Sequence, residues 1–105
     1  MKQYDIFIIS LDPATGHELK KTRPCVIISP DEMNRHIATV IIAPVTSRSR
    51  DYPSRVPVGV RGREGWIVLD QVRAVDKRRL LKRIGALDSE TIGRVKDVIR
   101  EMLVD

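Results

Sequence analysis

One segment, Gly16-His17-Glu18-Leu19-Lys20-Lys21-Thr22-Arg23-Pro24, gathers an imidazole, a carboxylate, two ammonium groups and a guanidinium just ahead of an apolar run. A loop of that composition can hold an acid, a base and a charge stabiliser together, and it fits equally a solvated loop with an Arg23–Glu18 ion pair. A second segment, Pro44-Val45-Thr46-Ser47, ends an apolar run in two hydroxyls. They suit hydrogen bonds to a phosphate or ordinary strand-end capping. A third, Asp70-Gln71-Val72-Arg73, sets a carboxylate in an apolar stretch. Such a group needs a partner, so Asp70 is either a structural anchor or a functional acid, and strand alternation would put it on one face with Val72.

Other chemistries drop out. One cysteine, Cys25, with His17 and His36 matches no zinc spacing, so no metal site is expected. Neither a phosphate-cradling glycine loop nor a dinucleotide fingerprint occurs, and Gly59, Gly62 and Gly65 are hairpin material, so no cofactor is expected either. Cys25 follows a proline inside a predicted strand and reads as a buried, inert thiol.

These residues must be positioned by the rest of a 105-residue chain, a length that supports one core and predicts a single domain over 1–105. Hydrophobic residues at 42% and charged residues at 31% are globular values. A lone cysteine closes no internal disulfide, and no apolar run approaches the ~20 residues of a membrane span. The amino terminus does not read as a signal peptide, and the expected location is cytoplasmic, with no membrane contact. Strands are predicted at 4–10, 24–29, 39–45, 55–60 and 65–72, joined by tight turns. Ser29-Pro30-Asp31-Glu32 reads as a capping box opening a short helical turn across 30–34. A short helix is expected from Lys77 to Gly85. Asp88 then caps a terminal helix whose stripe, Ile92, Val95, Val98, Ile99, Met102 and Leu103, packs on the strands. Together these give a mainly β fold, a small SH3-like barrel of about five to seven strands with a short helix after strand 2 and a C-terminal helix.

The net charge of +5 is unevenly spread. Arg73, Lys77, Arg78, Arg79, Lys82 and Arg83 face one acid, Asp76, and a second basic stretch holds Arg48, Arg50, Arg55, Arg61 and Arg63. Arginine's planar fork suits phosphate, so the stretches are either polyanion contacts or solvated faces.

Taken in order, the Gly-His-Glu loop leading to Thr22-Arg23-Pro24, Ser29-Pro30, Asn34, Pro44-Val45-Thr46-Ser47, Tyr52-Pro53 and Leu69-Asp70-Gln71-Val72-Arg73-Ala74-Val75-Asp76-Lys77-Arg78-Arg79-Leu80 resemble the MazF/PemK (Kid) family of toxin ribonucleases. The resemblance spans residues 12 to about 85. It implies an SH3-like barrel that forms a homodimer and cuts single-stranded RNA at short motifs without a metal, an mRNA interferase for which transfer or ribosomal RNA are further candidate substrates. A small antitoxin would block its active site, and operator DNA would be reached only through that antitoxin. Family catalysis carries over onto Arg23 and Thr46. Glu18 matches a glutamate that some members need, and His17 and Asp70 match positions implicated in the Kid branch. Where that branch has an arginine two residues before the strand aspartate, this chain has Val68.

On this reading Glu18 or His17 takes the 2'-hydroxyl proton, Arg23 neutralises the phosphorane and Thr46 bonds a non-bridging oxygen, leaving a 2',3'-cyclic phosphate and a 5'-hydroxyl. Candidate RNA contacts are Lys20, Lys21, Ser47, Arg48, Arg50, Arg55, Asp70 and Arg73, with Tyr52 for stacking. The competing class is a non-catalytic toxin of the same barrel that binds DNA gyrase.

Overall fold

The computed structural model describes residues 1–10, 22–48 and 51–104. Seven strands, β1 (Asp5–Ser10), β2 (Thr22–Ile27), β3 (Thr39–Thr46), β4 (Arg55–Val60), β5 (Arg63–Val68), β6 (Arg73–Asp76) and β7 (Leu80–Ala86), curl into a half-barrel. Helix α1 (Asp31–His36) links β2 to β3, and α2 (Ser89–Ile99) follows β7. The sheet runs β4-β5-β3-β2-β1-β7, with β6 on β3.

Strand β3 is the hub. On one edge it pairs with β2, on the other with β6 along its first half and with β5 at Val45 and Thr46. Because alternate side chains leave opposite faces, it feeds two cores. Val40 and Ile42 join Ile9, Cys25, Ile27 and Val75. Ala43 and Val45 join Ile6, Val26, Ile67 and Leu69, under Val95 of α2.

The structure revises several sequence expectations. Helix α1 begins at Asp31 with Pro30 in the cap position and no side-chain cap bond. Ser29 is no N-cap: at 1% exposure its hydroxyl donates to Asn34 Oδ1 at 2.5 Å and accepts from the Ile41 amide at 3.1 Å, fastening the helix to β3. Lys77 Nζ closes the same corner on the Asn34 carbonyl. The fifth strand ends at Val68, and Asp70 lies in a 3-10 turn over Leu69–Gln71, so the alternation expected for 70–73 does not apply. The helix expected from Lys77 is one 3-10 turn followed by β7, which pairs with β1 across two register shifts. Leu80 and Ile84 have spacing that serves a helix, yet Leu80 packs on one core and Ile84 on the other. Asp88 does cap α2, accepting the Thr91 amide at 2.8 Å. Ile92, Val95, Val98 and Ile99 pack as expected, but Met102 and Leu103 fall in a π-type turn and are exposed. Tyr4 precedes β1 at φ 71°, held by its amide bond to Ile27 and by the Leu87 amide on its carbonyl.

Replacing Ser29 with Ala leaves the Ile41 amide and the Asn34 carboxamide short of partners in a buried corner. The variant is expected to lose about 1–3 kcal/mol in urea unfolding, more than an exposed cap would forfeit.

Candidate active site

The β2–β3 ladder runs Ile27↔Ile42, Val26↔Ala43, Cys25↔Pro44 and stops. Pro24 and Pro44 have no amide hydrogen, so the ladder loses donors where the strands reach the edge of the barrel. Arg23 and Thr46 lie just beyond the last pair, Arg23 paired to Ile9 of β1 and Thr46 to Trp66 of β5. Both line a groove of about 730 Å³ at this end of the sheet.

The groove is apolar along Ile8, Val45, Val60 and Ile84, and cationic along Arg23, Arg48, Arg61 and Arg63. Among the described residues none of these four arginines forms an ion pair. The hydroxyl of Thr46 accepts from the Arg48 amide at 3.1 Å and donates to the Arg48 carbonyl at 3.2 Å. That local ring fixes the hydroxyl and leaves one lone pair open; redirecting its proton to a ligand oxygen gives up only the longer bond. Gly65 holds β5 against this point, since a Cβ there would sit 2.9 Å from the Thr46 carbonyl oxygen.

Arg61 and Arg63 belonged to the basic stretch seen in the sequence, but nothing there assigned them to Arg23. The link is the β4–β5 hairpin, whose two loop residues, Arg61 at φ 52° and Gly62 at φ 79°, form a type I′ turn after Val60↔Arg63. Glu64 and Gly65, which line the same groove, were likewise not assigned.

Of the sequence candidates, the structure brings together Arg23, Thr46, Ser47 and Arg48. His17, Glu18, Lys20, Lys21 and Arg50 lie outside the described residues. Cys25 is fully buried, and burial pushes its thiol up to about 12 against the opposing pull of Arg23 and Arg73. Arg73 is exposed on β6 and does not line the groove, yet its charge bears on the same thiol as that of Arg23. The rest of the Arg73–Arg83 run is largely absorbed by the fold. Arg78 pairs with Asp76 at 3.0 Å, holding that carboxyl down at about 2, Arg83 pairs with the buried Asp5 at 3.2 Å, and Arg79 reaches the Ser10 carbonyl at 3.4 Å.

Tyr52, Arg55 and Asp70 form a separate cluster at the other end of β4. Arg55 bonds Asp70 at 3.3 and 3.4 Å and lies 4.9 Å over the Tyr52 ring, while Ser54 donates to Asp70 at 2.8 Å. The Arg55 guanidinium, with help from Ser54, holds the Asp70 carboxyl below the usual range, so Asp70 here is an anchor tying the start of β4 to the turn after β5. Because its folded pKa is depressed, Asp70 stabilises the fold above the ordinary aspartate pKa, and that contribution vanishes as pH falls through the folded value. The stability gap between the parent and Asp70→Asn should therefore be level above the ordinary aspartate pKa of about 4 and narrow as pH falls below it, as read by urea unfolding across a pH series.

The family model described as PemK-like, MazF-like toxin of type II toxin-antitoxin system matches residues 2–103. Endoribonuclease EndoA of Bacillus subtilis is 30% identical over 106 residues, covering 95% of this chain and 91% of its own. Endoribonuclease MazF of Staphylococcus saprophyticus is 30% identical over 107 residues, covering 94% and 88%. The crystal structure of MazE-MazF from Deinococcus radiodurans matches with a TM-score of 0.83 at 25% identity, over 98% of this chain and 95% of that one. A half-barrel of this topology, with the Arg-Pro strand set beside the Pro-Val-Thr strand end and a family match over nearly its whole length, leaves one assignment: the chain belongs to the PemK-like, MazF-like family of type II toxin–antitoxin toxins.

Proposed function

We propose that this toxin is an endoribonuclease that cleaves single-stranded RNA, messenger RNA foremost, at short sequence motifs and without a metal ion. The observation that carries the reading is the groove that Arg23 and Thr46 line together with three further arginines. RNA brings its own nucleophile, a 2'-hydroxyl beside each phosphodiester. The protein therefore has to take a proton, stabilise the phosphorane and return a proton to the 5'-oxygen. Arg23 supplies the fixed positive fork, on a backbone restrained by Pro24. Thr46 steadies a non-bridging oxygen. The base is Glu18 or His17, both in the stretch of sequence before Thr22. The products are a 2',3'-cyclic phosphate and a 5'-hydroxyl.

The relatives' names as endoribonucleases support the nuclease over a gyrase-binding toxin of the same barrel. We read 1–105 as one toxin domain, paired as a homodimer and working in the cytoplasm, where its RNA lies. The family description supplies the partner: a cognate antitoxin protein, which on this reading covers the groove and accounts for any contact with operator DNA. Among the described residues no helix is long and apolar enough to cross a membrane.

The test is cleavage of a long RNA in EDTA. The parent should cut. Arg23→Ala should cut about two to three orders of magnitude more slowly per folded molecule, while affinity for a 2'-deoxy analogue changes far less, and Arg23→Lys should recover only part of the rate. A folded Arg23→Ala protein that cuts at the parent rate would remove Arg23 from the chemistry. Gly65→Ala probes the same geometry from behind. It should force β5 off the Thr46 carbonyl, lower stability by about 1–3 kcal/mol and slow cleavage by about tenfold to a hundredfold, measured by urea unfolding and initial rates on one preparation.

A further inference from the structure

We propose that Glu64 reads a guanine of the RNA strand through its Watson–Crick edge, which makes it a specificity-determining residue of the groove; the inference rests on the nuclease reading above. Glu64 is the one carboxylate among the described residues that line the groove, where it stands with Arg23, Arg48, Arg61 and Arg63. It is exposed and forms no ion pair with any described residue. Its partner across the hairpin is Gly59, beside which even an added Cβ would meet nothing within 4 Å, so that side of Glu64 is unshielded. The type I′ turn at Arg61 and Gly62 fixes the ribbon that carries it.

A polyanion threaded through this groove is drawn by the arginines and repelled at Glu64, so the strand must turn something other than phosphate toward that carboxylate. Base edges and sugar hydroxyls are what remain, and single-stranded RNA leaves its Watson–Crick edges open. Guanine alone offers two adjacent donors there, N1–H and N2–H, which match the two carboxylate oxygens. Adenine and cytosine place one amino donor beside a ring-nitrogen acceptor that would face the second oxygen with like partial charge. Uracil flanks its single N–H with two carbonyls. The carboxylate thus selects by attraction to one base and by repulsion of three, while the flanking arginines hold phosphates on either side.

The experiment maps 5' ends from two transcripts of one sequence, made with guanosine or with inosine, which lacks the N2 amino group. The parent and Glu64→Gln are compared, with circular dichroism to establish that both are folded. The parent is expected to cut at sites sharing a guanosine at one fixed position, and inosine should weaken those cuts about tenfold. Glu64→Gln should cut the guanosine sites about tenfold less well than the parent and respond little to inosine. A parent map with no fixed guanosine, or an equal inosine effect in both proteins, overturns the proposal while leaving the nuclease reading in place. Folded Glu64→Gln that cuts the inosine transcript as far below the parent as it cuts the guanosine one also overturns it, by moving Glu64 into the chemistry. A parent that leaves RNA whole overturns the nuclease reading itself, and this inference with it.

Discussion

Strand β3 cannot shift by one residue. It is paired along both edges and buried on both faces, so a slip would turn Val40 and Ile42 into the core that now takes Ala43 and Val45, and the reverse. That double constraint locks the register with β2 as far as Cys25↔Pro44, and Arg23 and Thr46 follow just beyond, lining one groove. The two prolines that end the ladder act at the same place. They stop the pairing where the site begins, so one strand pair is a rigid scaffold over most of its length and an open rim at its tip. The groove is thus made by the termination of a sheet, with the β4–β5 hairpin folded against it as the opposite wall.

Charge is divided between structure and surface in a way that a count of basic residues hides. The densest basic run in the chain is mostly committed: Lys77 to the Asn34 carbonyl, Arg78 to Asp76, Arg83 to Asp5. The arginines of the groove are thinner on the ground in sequence but form no ion pairs among the described residues. The second group is thus the one that borders the fixed hydroxyl of Thr46.

Much of this was legible in the sequence, for identifiable reasons. Strand β4 at 55–60 and the Asp88 cap carry local signals, alternation and side-chain capping, that tertiary packing does not override. Arg23 and Thr46 were found as separate motifs, and the resemblance to toxin ribonucleases joined them. Their meeting in one groove depends on a pairing between distant segments that no local pattern states. Errors fell where local signals are degenerate. Leu80, Leu81 and Ile84 satisfy a helix or a bulged strand alike, and only pairing with β1 decides between them. Ser29 had the residue type and spacing of a capping box, yet burial drew its hydroxyl to Asn34 and Ile41 instead. Asp70 was left between anchor and acid; Ser54 and Arg55, both remote in sequence, make it an anchor. Glu64, an isolated acid among arginines, carries no motif in the sequence, and its company is visible only once the hairpin is folded.

The burial of Cys25 reaches beyond packing. The thiol sits one proline away from Arg23, where an arginine beside a cysteine would ordinarily favour thiolate and make a reactive centre, yet burial wins and keeps the sulfur protonated and shut away. Peroxide and disulfide exchange both require thiolate that a reagent can touch, and this position offers neither. The guanidinium and hydroxyl that face the groove are themselves inert to mild oxidants. Strand β2 thus carries its sulfur where a mild oxidant does not reach it, beside a guanidinium that faces the groove.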